Sequence, residues 1–99
     1  MFKNGMRPVH PGEILREDYL KELGMSANAL AKALNVPAPR VNDIVRERRG
    51  VTADTALRLA RYFGSSPQFW LNLQAAYDLR VAEIENAKRI EREVQPAAA

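Results

Sequence analysis

The sequence predicts an all-α fold, a bundle of five helices with short connections and an extended C-terminal helix. Apolar residues recur every three or four positions along most of the chain, which is the period of an amphipathic helix. Ser, Thr, Pro and Gly stand where such segments should begin and end. No segment shows the strict alternation of apolar and polar residues that predicts a strand.

The first helix is predicted to begin at His10-Pro11-Gly12-Glu13 and to end at Leu23, where Gly24 stops it. Pro11 suits the first turn because the backbone N–H that it lacks has no partner inside a helix. Residues 1–9, which precede this helix, are interpreted as a flexible arm. The stripe expected to face the core, with Tyr19 beside it, consists of Ile14, Leu15, Leu20 and Leu23.

The second and third helices are predicted within Ser26 to Arg49, a segment typical of a helix-turn-helix. Asn35 should end the second helix, because asparagine tolerates the left-handed conformation found at helix ends. Pro39 suits the first turn of the third helix, which Gly50 would end. The apolar stripe of the second helix is Leu30, Ala31 and Leu34. That of the third helix is Val41, Ile44 and Val45.

The outward face of the third helix carries side chains suited to reading DNA bases. With about 100° of rotation per residue, the apolar stripe faces one side and Asn42, Asp43 and Arg46 face the other. Asparagine can pair bidentately with adenine and arginine with guanine, while aspartate can accept from cytosine N4. Arg40 lies on one flank, and Ala38 could touch a thymine methyl. The predicted base-reading residues are therefore Ala38, Arg40, Asn42, Asp43 and Arg46.

Four further residues are predicted to contact DNA phosphates. Ser26 and Asn28 open the second helix, whose N-terminus favours an anion. Arg48 and Arg49 follow the third helix, and such contacts contribute affinity but little sequence choice. Residues 1–50 contain nine Lys and Arg against six Asp and Glu, whereas residues 51–99 contain six of each. The excess positive charge thus lies in the half that contains the reading helix, which favours a polyanionic partner.

The fourth helix is predicted from Ala53 to Phe63, with Thr52 as its N-cap and Gly64 as its stop. The fifth begins at Ser66-Pro67 and is expected to continue past Val94. Its first half is rich in large apolar groups, and its charged second half carries a thin apolar stripe. That stripe fits either a partner helix or a solvated tail. The residues assigned to a protein interface are Phe69, Trp70, Leu73, Tyr77, Val81 and Ile84.

Length and composition indicate one small folded domain. The chain has 99 residues, 46% of them hydrophobic, and a net charge of +3. It has no apolar run of membrane-spanning length and no signal-peptide core, so we expect a cytoplasmic protein. The absence of cysteine excludes disulfides and thiolate metal sites. Residues 10–80 are expected to form the helix-turn-helix domain, and residues 81–99 a charged helical extension with a frayed tail.

Beyond the helix-turn-helix, the chain resembles the Xre-like antitoxins of the HigA/VapI type, which have a lambda-repressor-like DNA-binding fold. The stretches that carry the resemblance are Pro8 to Leu15, Ile44 to Gly50, Thr52 to Ala60, Ser66 to Gln74, and Tyr77 to Arg80. The resemblance implies a dimeric bacterial repressor, associated with the nucleoid when it is bound to DNA. It would neutralise a RelE-like, HigB-type mRNA-cleaving toxin and repress its own operon. Its two reading helices would bind a palindromic operator, and the interface residues above would serve the dimer or the toxin.

The chain departs from this family in the first turn of the reading helix. Many Xre-like repressors carry Gln, Ser or Thr there, whereas this sequence has Pro37-Ala38-Pro39. These side chains lack hydrogen-bond donors, so direct readout must depend on residues further along the helix. Two alternatives remain: a stand-alone Xre-like repressor without a toxin, and an interaction module that no longer reads DNA.

An enzyme is the least favoured class. His10 is the one histidine, and the sequence has no cysteine nucleophile, no supported Ser/His/Asp set and no glycine-rich phosphate loop. No catalytic residue and no cofactor is therefore predicted. Glu13 and Glu17 would share a helical face with His10 and could hold a metal. A histidine beside Pro-Gly at a helix start more often caps the helix, so no metal is predicted.

Overall fold

The computed structural model describes residues 7–98, which contain five helices and no strand. Helix α1 is one continuous helix made of Pro11–Ile14, Leu15–Leu20 and Lys21–Leu23, with the middle segment in π form. The others are α2 (Ala27–Leu34), α3 (Ala38–Val45), α4 (Ala53–Phe63) and α5 (Pro67–Glu93). The predicted all-α fold of five helices is confirmed. Residues 1–6 of the predicted arm and Ala99 of the predicted tail lie outside the described residues.

Three of the five described helices, α2, α4 and α5, begin at the hydroxyl residues that the sequence predicts. The side-chain oxygens of Ser26, Thr52 and Ser66 each accept a hydrogen bond from the backbone N–H three residues later, at 3.0, 3.4 and 3.1 Å. Each cap satisfies a donor that has no partner inside the helix. The stops are also as predicted: Gly24, Asn35 and Gly64 end α1, α2 and α4 in left-handed conformations.

The π segment of α1 changes which leucines face the core. Leu15 and Leu20 are five positions apart and both are buried. A π turn hydrogen-bonds residues five apart and so brings them to the same side of the helix. Leu23 is 57% exposed, so its predicted place in the buried stripe is wrong. The sequence prediction assumed α-helical rotation throughout, and the wider turn shifts the residues that follow it.

Trp70 lies at the centre of the core. Its side chain is fully buried, and its Nε1 donates to Ser65 Oγ at 3.1 Å. The centroids of the Tyr19 and Phe63 rings lie 5.2 and 6.4 Å from the centroid of the Trp70 ring. The assignment of Trp70 to a dimer or toxin interface is therefore wrong. A tryptophan satisfied by a hydrogen bond inside a core holds the helices together and has no surface to offer a partner.

The second half of α5 extends away from the body of the bundle. The molecule measures 52 × 21 × 20 Å along its principal axes. Four large apolar side chains on or just after this half are exposed: Leu79, Ile84, Ile90 and Val94. The helix ends at Glu93 and Val94 is extended, so the expected continuation past Val94 is wrong. Pro96 disfavours helical conformation at the residue before it, and this limits the helix. Among the helices described, none is both long and apolar enough to cross a membrane.

The beginning of α1 lies directly against the end of α3, and Gly12 makes this close approach possible. A Cβ at position 12 would lie 1.8 Å from the carbonyl oxygen of Ile44 and 2.8 Å from its carbonyl carbon. Pro11 and Gly12 are both buried in this contact. The positive end of one helix meets the negative end of the other, so the contact also joins opposite partial charges. Glycine at position 12 thus fixes the distance between α1 and α3.

We expect the Gly12→Ala substitution to lower the free energy of unfolding by about 2 kcal/mol, because the added methyl overlaps backbone atoms of Ile44. The higher helix propensity of alanine alone would raise the free energy of unfolding by about 1 kcal/mol. Chemical denaturation of the two proteins measures the difference. An unchanged or higher stability of the variant would show that α1 and α3 do not meet in this way.

Candidate nucleic-acid interface

The turn between α2 and α3 is built as the sequence predicts. Asn35 adopts the left-handed conformation, with φ 58° and ψ 49°. Its N–H donates to the carbonyl of Lys32 at 3.1 Å, and the N–H of Val36 donates to the carbonyl of Ala31 at 3.0 Å. These bonds satisfy carbonyls that would otherwise be unpaired at the end of α2. The chain can therefore turn sharply into α3 without leaving buried polar groups.

Helix α3 ends earlier than predicted. It stops at Val45, and Glu47 has a left-handed φ of 62°. The N–H groups of Glu47 and Arg48 donate to the carbonyls of Ile44 and Asp43, at 2.9 and 2.8 Å, which is the pattern of a Schellman end. The expectation that Gly50 ends the helix is wrong, because Glu47 makes the left-handed turn that ends it. Arg46 is at the helix end, and Arg48 and Arg49 lie in the turn that follows.

Arg16 of α1 holds this end of α3. Its Nη1 donates to the carbonyl of Val45, and its Nη2 pairs with Glu47 Oε2 at 3.4 Å. The Nε of the same guanidinium pairs with Glu17 at 2.9 Å. A cation at a helix C-terminus is favoured by the partial negative charge there. Arg16 therefore stabilises both the last carbonyl of α3 and the left-handed conformation of Glu47.

Arginines occupy the exposed end of the reading helix. Arg46, Arg48 and Arg49 are all exposed. Asp43 is half-buried, and its Oδ2 lies 3.6 Å from Arg49 Nη2. A partly exposed ion pair at this distance is weak, so it restrains the two side chains little. The predicted residues Asp43, Arg46, Arg48 and Arg49 thus lie together at one end of the reading helix.

Asn42 and Asn28 join the two helices of the motif. The Nδ2 of Asn42 donates to Asn28 Oδ1 at 2.7 Å and to the carbonyl of Ala38 at 3.0 Å. Bidentate pairing of Asn42 with adenine would need one of these hydrogens. The bonds seen among the described residues leave the Oδ1 of Asn42 and the Nδ2 of Asn28 available to a ligand. The two asparagines therefore present one acceptor and one donor group side by side.

Arg40 is held by residues of α4. Its Nη1 pairs with Asp54 Oδ2 at 2.7 Å, and Arg58 Nε pairs with the same oxygen at 2.9 Å. Arg58 Nη1 also donates to the carbonyl of Leu34 at 2.9 Å. Hydrogen bonds from Arg58 and then Arg40 lower the pKa of the Asp54 carboxyl below its ordinary value. Arg40 thus belongs to a network that ties the reading helix to α4 and to the end of α2.

A groove of about 500 Å³ runs beside this network between the end of α3 and the start of α4. It contains three guanidinium groups and a single carboxylate, so its charge is positive. Such a groove favours an anion. The residues that line it are Arg40, Arg49, Gly50, Thr52, Asp54, Thr55 and Arg58.

One side of the first half of α5 packs against the bundle and contacts the segment that follows α3. Gln74 Oε1 accepts a hydrogen bond from the N–H of Val51 at 2.7 Å, just after the turn that contains Arg48 and Arg49. The ring of Tyr77 packs edge-on against His10, with 4.8 Å between centroids. Leu73 and Tyr77 are half-buried, whereas Phe69 and Ile84 are exposed and Val81 is partly so. The residues assigned to an interface therefore divide between the body of the bundle and its outer surface.

His10 caps α1 rather than forming part of a metal site. It is 3% exposed, and its Nδ1 accepts a hydrogen bond from the N–H of Gly12 at 2.8 Å. Glu13 pairs with Arg7 at 2.7 Å, and Glu17 pairs with Lys21 at 2.5 Å. Among the residues described, no three potential ligands come close enough to hold a metal ion. Burial lowers the pKa of His10, which favours the neutral ring that the cap requires.

Four residues of this site were missed by the sequence analysis: Arg16, Asp54, Arg58 and Gln74. Asp54 and Arg58 are four positions apart in a predicted helix, a spacing that indicates an ion pair. That pattern could have drawn attention to them. The contacts of Arg16 and Gln74 join residues 29 and 23 positions apart in the chain. No local pattern indicates such contacts.

Comparison with known proteins places this geometry among helix-turn-helix proteins. Residues 17–70, more than half of the chain, match the family model described as Helix-turn-helix. Virulence-associated protein I of Dichelobacter nodosus is 68% identical over 81 residues, which are 82% of this chain and 75% of that protein. Antitoxin HigA-1 of Vibrio cholerae is 41% identical over 80 residues, covering 80% of this chain and 74% of that protein.

The fold is also that of a solved antitoxin. The structure of Pseudomonas aeruginosa antitoxin HigA with the higBA promoter matches this chain with a TM-score of 0.90 and 58% sequence identity. The match covers 93% of this chain and all of the other. At this level of identity the similarity extends beyond the shape of the backbone to most of its side chains.

We expect the stability of the protein to decrease through His10 as the pH falls below about 7. The pKa of His10 is lowered in the folded state, and it has its ordinary value of about 6.5 in the unfolded chain. The unfolded chain therefore binds a proton first as the pH falls. The stabilising contribution is complete above the unfolded pKa and is lost as the pH falls towards the folded one.

Denaturation at several pH values tests this expectation, with His10→Asn as the control. Asparagine keeps a side-chain acceptor at the helix start but does not titrate. The free energy of unfolding should fall more steeply in the wild-type protein than in the variant over this range. Equal slopes for the two proteins would remove His10 as the cause.

Proposed function

The chain belongs to the HigA/VapI-type group of Xre-like helix-turn-helix proteins, and from this we propose that it is a DNA-binding antitoxin that represses its own operon. The family consists of DNA-binding proteins rather than enzymes. The observation that carries the proposal is the anchored α3 with exposed arginines at its end. It is supported by a protein of 58% identity and the same fold that was solved with its promoter.

In this proposal α3 enters the major groove and its outward side chains read bases. Arg46 is exposed at the helix end, beside Asp43, and is suited to guanine. Asn42 offers its Oδ1 to an adenine or cytosine amino group. Arg40 reads from the flank beside α4, and Ala38 provides apolar contact in the first turn. These are the five base-reading residues that the sequence predicts.

The same docking places phosphates at the two ends of the motif. Ser26 and Asn28 stand at the N-terminus of α2, where backbone N–H groups and the Asn28 amide favour an anion. Arg48 and Arg49 lie in the turn after α3, and Arg49 lines the positively charged groove. Phosphate contacts at both ends would fix the orientation of α3 in the groove without selecting a sequence.

We propose a homodimer that binds a palindromic operator, because one reading helix of eight residues covers only half of a typical site. The outer half of α5 supplies the dimer surface. Val81 and Ile84 lie on this part of the helix, and Ile84 is 57% exposed. Phe69 contributes from the start of α5, while the half-buried Leu73 and Tyr77 lie at its inner edge. Trp70 has no part in this surface because it is fully buried.

The partner protein that we propose is a RelE-like, HigB-type toxin that cleaves mRNA. The support is the relationship to antitoxins. The complex would act in the bacterial cytoplasm and at the nucleoid, because repression requires contact with the operator DNA. Neutralisation would require the toxin to bind a surface that is separate from α3 or in competition with DNA.

Substitution of Arg46 and Arg48 should separate base reading from phosphate binding. Arg46→Ala is expected to weaken operator binding by about 1–3 kcal/mol and to relax the choice at one base pair. Arg48→Ala is expected to weaken binding to all sequences and to reduce the salt slope by about one. Titrations at several salt concentrations measure both effects. A uniform loss in Arg46→Ala would assign Arg46 to a phosphate instead.

The dimer surface is tested by placing a charge on it. Ile84→Glu should convert the protein to a monomer at micromolar concentration, because a carboxylate would be buried against an apolar partner surface. Leu57→Glu is the matched control, since Leu57 is a 60% exposed leucine of α4 outside the proposed surface. Sedimentation equilibrium measures the mass. A wild-type monomer, or a dimer that survives Ile84→Glu, contradicts the proposed interface.

Co-expression with the product of the adjacent reading frame tests the antitoxin function. We expect the adjacent product to arrest growth when it is expressed alone and to co-purify with this protein when both are present. Growth should be restored by the wild-type protein. If no adjacent product is toxic or bound, the protein is a stand-alone repressor.

A further inference from the structure

Asp54 is an acidic residue in a region where a DNA-binding protein should be positively charged. It opens α4 and lies in the groove with Arg40, Arg49 and Arg58. Its side chain is 57% exposed, so it is near any polyanion that enters the groove. A carboxylate at this place repels phosphates and lowers the affinity for DNA in general. Its place in the first turn of α4 favours that helix, and its contacts point to a further property that offsets this loss.

The contacts of Asp54 indicate what that property is. One of its carboxylate oxygens, Oδ2, accepts from Arg40 at 2.7 Å and from Arg58 at 2.9 Å. Arg58 in turn donates to the carbonyls of Leu34 and Asn35, at 2.9 and 3.4 Å. Arg58, itself bound to the end of α2, therefore fixes Asp54, and Asp54 in turn fixes Arg40.

We propose that Asp54 is a positioning residue that orients the guanidinium of Arg40 to read a guanine in the operator. This inference rests on the proposed DNA-binding function. A guanidinium has five N–H donors in a rigid plane, and Asp54 engages a donor on Nη1. The remaining donors suffice for the bidentate pairing of arginine with guanine O6 and N7.

Orientation before binding matters because arginine is long and flexible. An unrestrained arginine loses much side-chain freedom when it is fixed against a base, and that cost reduces the affinity of the correct complex. Asp54 and Arg58 restrict Arg40 while the protein is still free. The same carboxylate weakens binding to unrelated DNA. Both effects raise the ratio of specific to non-specific affinity, which decides how well an operator is found.

The test uses Asp54→Asn, which keeps the shape of the side chain and removes its charge. The probe is the duplex that the wild-type protein protects from nuclease in the DNA upstream of its own reading frame. In each of a set of variant duplexes, one G·C pair is replaced by another base pair. We expect Asp54→Asn to reduce by about tenfold the ratio of affinities that favours guanine at one position in each half-site. Binding to an unrelated duplex of equal length should become tighter.

Asp18→Asn is the matched control, because Asp18 is an exposed aspartate of α1 and the substitution makes the same change in net charge. It should leave the guanine preference unchanged. Arg40→Ala should lose the preference at the same base pair as Asp54→Asn. Adding Asp54→Asn to Arg40→Ala should then change that preference no further, since the effect of Asp54 passes through Arg40.

Three results would overturn the inference. They are an unchanged guanine preference in Asp54→Asn, an equal weakening on all duplexes, and a preference that is lost in Asp54→Asn but retained in Arg40→Ala. Failure of the proposed function has a different signature. In that case the wild-type protein itself would not distinguish the upstream duplex from a scrambled one.

Discussion

The close contact between Gly12 and the carbonyl of Ile44 determines where the reading helix lies. Because no side chain separates the two backbones, the start of α1 fixes the end of α3 to within the tolerance of van der Waals contact. Arg16, one turn further along α1, then binds the last carbonyl of α3 and pairs with Glu47. The reading helix is therefore positioned by backbone geometry, and its exposed side chains remain for the ligand.

The other elements support the same helix from different sides. Gln74 and Tyr77 of α5 hold the chain after α3 and the cap of α1, respectively. Asp54 and Arg58 of α4 hold the flank of α3. These side chains thus act within the body of the domain and fix the position of α3. The proposed reading of DNA depends on that position, and the proposed dimer depends on the second half of α5.

Local patterns were sufficient to predict much of this structure. The caps at Ser26, Thr52 and Ser66 and the left-handed stop at Asn35 follow from short-range hydrogen bonding, which the sequence displays directly. The early end of α3 and the inward direction of Trp70 could not be predicted from local patterns, because both depend on contacts between distant segments. A run of large apolar residues in α5 is consistent with a core and with an interface. Tertiary packing alone distinguishes them.

The most direct test of DNA reading by α3 is nuclear magnetic resonance of the labelled protein during titration with its upstream duplex. Amide signals of Ser26 to Ala29 and Ala38 to Gly50 should shift with one common affinity. Those of the outer half of α5 should keep their free positions when the free protein is already a dimer. Shifts concentrated outside α2 and α3, with the signals of α3 unchanged, would contradict the assignment of α3 as the reading helix.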